Sequence, residues 1–225
     1  MTDDDDDDID ELDYSISFRI GRSLADGGGE DHAVQIHGEI IYDTGESGNA
    51  PPEVVGTLDG YLCQVSNAID SGADVFWEVF DQSQTLNNLH SAVFDGDTGE
   101  VKEEIKDQWN GEPVGDDVLY IELIHVLPAH RGHNLGLRAL YRAIELFGPA
   151  NGLVVIEPGP LQHGGRAADY TQLELCRFEQ DKKKALTRLR RYWKKFGFRQ
   201  IPNSNYFAFP MAFSLPKFKK IMPKE

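Results

Sequence analysis

The chain has 225 residues, of which 40% are hydrophobic, with two cysteines and a formal net charge of −16. That is enough apolar material for one domain core, and no apolar run approaches the roughly 18–20 residues that span a bilayer. Nine of the acids crowd into residues 1–13, so leaving that stretch out takes the charge from −16 to −7.

Six consecutive aspartates, Asp3 to Asp8, repel one another and have no apolar face to bury. Residues 1–13 are therefore expected to be a disordered acidic tail, and 14–225 a single domain. The N-terminus is acidic and lacks a basic stretch followed by an apolar one, so a secretory leader is not expected. Cys63 and Cys176 have no metal-ligand spacing and read as buried thiols of a reducing, cytoplasmic compartment. An acidic chain lacks the Lys/Arg excess on which nucleic-acid affinity depends, so neither nucleic acid nor a membrane is the expected partner.

Alternation marks Tyr14–Ile20 as the first strand and places a second within Ala33–Tyr42, beyond a Gly27-Gly28-Gly29 loop. A third runs over Val54–Val65, with a break expected at Asp59-Gly60. Ser71–His90 has helical spacing. Asp95–Gly99 is a turn and Asn110–Asp117 a loop. Val118–Leu127 is too apolar for a strand exposed on one side and reads as the central strand. Helical periodicity follows over Leu135–Phe147, with Leu137, Leu140, Ile144 and Phe147 on one face, and Gly148-Pro149 ends it. Gly152–Glu157 is a short strand stopped by Pro158-Gly159-Pro160. A long helix is expected over Glu174–Phe196, capped by Gly197, with Phe178 facing inward. Ile201–Phe213 reads as a last strand or hairpin. This order predicts a mixed α/β (α+β) sheet flanked by helices.

The junction between central strand and helix carries the chemistry. Arg131-Gly132-His133-Asn134-Leu135-Gly136 sits where a helix begins, and the first N–H groups of a helix point outward unpaired with partial positive charge. A phosphate or pyrophosphate suits that place, and small residues let it approach the backbone. This segment resembles the acyl-CoA motif of the GNAT superfamily of N-acyltransferases, Gln/Arg-x-x-Gly-x-Gly/Ala. Asn134 stands where the family has its first glycine, and Asn tolerates the left-handed region better than most residues. Downstream, Tyr192-Trp193-Lys194-Lys195-Phe196-Gly197-Phe198 resembles the family's late helix ending in Tyr-x-x-x-Gly-Phe. There Trp193 takes the tyrosine's place and Tyr192 lies one residue earlier, about 100° around the helix.

The resemblance implies a GNAT-like splayed sheet, acetyl-CoA as co-substrate and transfer of its acetyl group to a primary amine. It implies cofactor contacts from Val126 and Leu127 at the strand end and from Arg131, Gly132, His133, Asn134, Leu135 and Gly136. It implies a tyrosine that protonates the departing thiolate, for which Tyr192 is the candidate. Glu122, an acid inside the apolar strand YIELIHV, is the expected general base. Strict alternation would put it on one face with Tyr120, Ile124 and Val126, and burial would raise its pKa. His125, on the opposite face, is the rival base. The histidines form no metal-ligand pattern, so no metal site is expected. The acidic body favours a cationic acceptor, and a homodimer is compatible with the chain. The competing expectation is a catalytically silent module of the same fold that binds CoA or a protein partner.

Overall fold

The computed structural model describes residues 13–21, 31–43, 51–110, 115–163 and 172–221. The acidic stretch 1–12 and the Gly27–Gly29 loop lie outside the described residues. The alternating segments Tyr14–Ile20 (β1) and Ala33–Tyr42 (β2) pair antiparallel, Tyr14 opposite Tyr42. Glu53–Cys63 (β3) and Val118–Val126 (β4) extend the antiparallel run. Leu153–Ile156 (β5) then pairs with β4 in parallel, and the hairpin of Arg199–Gln200 (β6) and Phe207–Pro210 (β7) completes the order β1-β2-β3-β4-β5-β7-β6.

This is a mixed α/β fold with a seven-stranded sheet covered on both faces. The cover explains why β5 and the stretch Val118–Ile121 of β4 that pairs with it are apolar and buried. Val118, Tyr120, Leu153 and Val155 enter one core, while Leu119, Ile121, Val154 and Ile156 enter the other.

The helices depart from the sequence expectation where local capping intervenes. Ser71–His90 is not one helix. It holds the end of the region after α1 (Val65–Asp70), a single π turn over Phe76–Phe80 and the start of α2 (Gln84–Val93). Gly72, at φ +73°, turns the chain out of α1, and the Ser83 side chain accepts the Leu86 N–H to start α2 afresh. A short helix α3 (Glu103–Asp107), unforeseen from sequence, follows. The helix α4 spans Leu135–Phe147 as read, and Leu137, Leu140, Ile144 and Phe147 are buried against the sheet. At about 1.5–3 kcal/mol for each such side chain, that face fixes where the helix begins.

The long helix expected over Glu174–Phe196 is shorter: α5 covers Lys182–Lys194. Asp181 caps it, accepting the Lys184 N–H at 3.0 Å. Before it, Glu174 is left-handed and Leu175–Arg177 makes one 3-10 turn, so Phe178 is not an inward helical residue but 42% exposed. The expected final strand is confined to β6 and β7, and a last short helix, α6, covers Phe218–Ile221. Cys63 is buried, but Cys176, in the segment before α5, is exposed.

The feature that matters for a site lies in β4. Asp59 pairs with Leu123 and Gly60 with Ile121, so Glu122 has no partner residue and bulges. The expected break at Asp59-Gly60 is thus an extra residue in the facing strand. Gly60 permits the close approach, since a Cβ there would lie 2.2 Å from the Tyr120 carbonyl oxygen. A bulge shifts side-chain parity. Tyr120 and Glu122 do not share a face with Ile124 and Val126, which pack with Leu119 and Ile121 instead. His125 correspondingly comes to the face of Glu122, opposite to the simple alternation. One step further, the β4–β5 pairing stops at Ile121 and Ile156, while β4 runs on to Val126. The two strands part there.

Candidate active site

Two adjoining cavities follow that fork. The smaller, about 330 Å³, lies at the start of α4. Asn134 precedes the helix in the left-handed region at φ 53°, and Gly132 has φ 99°. Asn134 thus takes a conformation that Asn tolerates better than most residues. Val126, Arg131, Gly132, Asn134, Leu135 and Gly136 all line this cavity. A Cβ on Gly136 would stand 3.6 Å from both Ile124 Cγ2 and Tyr192 Oη, so this glycine borders the slot between helix and strand. Leu127 and His133 do not line it. The Leu127 N–H is donated to the Val55 carbonyl at 2.8 Å, and His133 is exposed.

Arg131 faces inward to the protein. Its Nε donates to the Val126 carbonyl at 3.1 Å and a terminal nitrogen to the Leu173 carbonyl at 2.6 Å, with the guanidinium 4.4 Å from the Phe178 ring centre. Partial burial lowers its pKa, which still leaves it charged at neutral pH. It ties the segment before α5 across the end of β4. His130 is held by the Tyr14 hydroxyl at 3.0 Å, and the Tyr14 ring lies 6.1 Å from that of His133.

The larger cavity, about 970 Å³, opens where β4 and β5 part. Ile124, Phe178, Leu189, Tyr192 and Trp193 line both spaces. Trp193 is mostly buried in the core. Tyr192 instead turns to the cavities, and its hydroxyl accepts the Leu137 N–H in the first turn of α4. Burial raises its pKa, so it is a neutral hydroxyl at pH 7.

Glu122 lines the larger cavity and is exposed, not buried, because the bulge carries it out of the strand. The Thr85 hydroxyl reaches it at 3.4 Å. Sequence reasoning missed its neighbour Glu157, the first residue after β5. Burial of the carboxyl raises the Glu157 pKa, and the charge of Glu122 raises it further. An acid placed between a β-branched run and Pro158-Gly159-Pro160 was the available signal. Tyr120 and Tyr206 line the same cavity as the two carboxylates, with their hydroxyls hydrogen-bonded to each other. These tyrosines are 1% and 7% exposed.

His125 sits in a polar chain over three strands. His37 Nδ1–H donates to Asp59 at 2.5 Å, the Thr57 hydroxyl donates to the other Asp59 oxygen at 3.2 Å, and Thr57 in turn accepts from His125 Nδ1 at 3.2 Å. Burial lowers the His125 pKa, keeping it neutral. Among the described residues, no group of three or more His, Cys, Asp or Glu could hold a metal ion, and no helix is long and apolar enough to cross a membrane. No protein-family model matches the sequence, and no curated protein matches it.

Proposed function

We propose that this protein is a GNAT-like N-acyltransferase that moves an acetyl group from acetyl-CoA to a primary, cationic amine. One observation carries the reading: a helix N-terminus suited to phosphate and a carboxylate-bearing fork between two strands open into adjoining cavities, with Tyr192 lining both. The pyrophosphate would meet the amides at Gly132–Gly136, where dipole and unpaired N–H groups favour an anion. The pantetheine arm would lie along Ile124 and Val126. The thioester would then reach the fork, where β4 has backbone groups released from β5 that can stabilise a developing oxyanion.

A carboxylate at the fork takes the proton from the ammonium, and the neutral amine attacks the thioester carbonyl. Tyr192 supplies the hydrogen bond and proton for the departing sulfur. Arg131 has a supporting part, holding the walls of the cofactor cavity together. The displaced tyrosine, with buried Trp193 standing where the resemblance expects it, favours a second reading, a silent module that binds CoA without turnover. Two measurements on the whole chain test both. Acetyl-CoA at saturation should raise the melting temperature, and thiol should be released when spermidine, glucosamine or a lysine peptide is added. A shift without thiol release leaves the silent module; no shift removes both readings.

A further inference from the structure

Building on the acyltransfer reading, we infer that Glu157, and not Glu122, is the catalytic base, while Glu122 holds the ammonium in place. The fold separates the two carboxylates by how each is carried. Both residues are exposed, but Glu122 rides on the one residue of β4 that the ladder with β3 skips. Glu157 follows directly on the last β4–β5 pair, Ile121 with Ile156, and its backbone is pinned. The Glu157 carbonyl accepts the Gly159 N–H at 2.8 Å, and the buried Pro158 between them anchors the turn. Glu157 therefore stands at the apex of the fork, where a carbonyl threaded between the parted strands would meet its attacking amine. A poised base needs a pKa nearer neutrality than an ordinary carboxylate has, and the partly dehydrated apex supplies that direction.

The ammonium gives one proton to a Glu157 carboxylate oxygen. The freed nitrogen lone pair forms the C–N bond at the thioester carbon, and the C–S electron pair leaves with sulfur. The thiolate takes a proton from Tyr192, which regains one from the surplus amide proton through solvent. Glu157 then releases its proton to water. The charged and titratable groups that line the cavity with Glu157 are Glu122 and Tyr120 from β4, Tyr206 before β7, Asp59 from β3, Glu179 before α5, and Arg188 and Tyr192 from α5.

The test uses the full chain, acetyl-CoA and whichever of spermidine, glucosamine or the lysine peptide releases thiol fastest. Glu157→Gln should lower kcat on the order of 10²–10⁴-fold and remove the acidic limb of the pH–rate profile. Glu122→Gln should raise KM for the amine with kcat within about threefold, keeping that limb, because it loses uniform binding rather than proton transfer. Glu157→Asp guards against misfolding: a carboxylate set back by one methylene should retain the limb with a loss of about 10²-fold. The inference is overturned if Glu157→Gln turns over within about threefold of the parent, or if Glu122→Gln alone loses the acidic limb; either result leaves acyl transfer standing. Absence of thiol release by the parent with every amine would bring down the acyltransfer reading and this inference together.

Discussion

Gly136 offers the sharpest perturbation, because the space around it is defined on both sides. A Cβ there would lie 3.6 Å from Ile124 Cγ2 and from Tyr192 Oη, ordinary van der Waals distance, so the apo fold accepts a side chain at this position. In helix α4, replacing glycine by alanine removes backbone freedom from the unfolded chain, a gain of at most about 1 kcal/mol. Beyond the Cβ, glutamate adds one methylene and a negatively charged carboxylate in the slot beside the amides proposed for the pyrophosphate. For the parent, acetyl-CoA at a hundred times its Kd would stabilise the native state by about 2.7 kcal/mol. For a chain of this size each kcal/mol moves the melting temperature by about 2–4 °C, so the expected rise is about 5–11 °C. Gly136→Glu should lose all of it while keeping the apo melting temperature within about 4 °C of the parent. Thermal unfolding with and without acetyl-CoA reads both quantities. If Gly136→Glu keeps the full ligand shift, the cofactor does not occupy the start of α4 and the proposed site is wrong.

Other expectations follow from single contacts. Tyr192→Phe removes the hydroxyl that accepts the Leu137 N–H, and thiol release should slow on the order of 10²-fold with acetyl-CoA affinity retained; an unchanged rate would hand thiolate protonation to solvent. Arg131→Ala breaks two charged hydrogen bonds and a ring contact, so the melting temperature should fall by about 5–10 °C, with no fall showing that the segment before α5 is held by other means. His90 packs among Phe76, Phe80 and Phe94, and burial followed by the charge of Lys102 lowers its pKa. The unfolded imidazole takes its proton near pH 6.5 and the folded one only below that, so stability should decline as pH falls through 6.5. His90→Asn should flatten that slope in melting temperatures taken between pH 8 and pH 5, and an unaltered slope would assign it to other groups, such as His125.

The parts of the fold legible in the sequence are those with a repeated local signal. The buried face of α4 recurs every three or four residues over thirteen positions, and Gly148-Pro149 stops it. Strands β1 and β2 alternate cleanly. The start of α5 was misplaced by eight residues: Phe178 extended the helical pattern upstream past the Asp181 cap, into a segment that tertiary contacts to Arg131 hold open. The bulge at Glu122 was not legible. One extra residue in a strand changes no composition and leaves no periodic trace, but it reverses the face of every side chain beyond it. The strand-to-helix junction at the start of α4 was therefore readable in the sequence, whereas the meeting of the two carboxylates needed three-dimensional register. The neighbourhood of Glu157 to Glu122 is created by a parallel pairing across thirty-odd residues of chain.

The bulge also makes Glu122 supernumerary to the architecture. With that one residue deleted, Leu123 would follow Ile121 directly, and the ladder to Gly60 and Asp59 would become continuous. Leu123 and His125 would keep their present face, and Ile124 and Val126 theirs, because the chain would regain the alternation that the insertion interrupts. A sheet that could close without a residue and yet contains it has a vacancy for variation at that point. Such a position can change its chemistry, or disappear, while the core on either side of β4 stays as it is, so divergence in what the cleft accepts can proceed without refolding the strand that builds it.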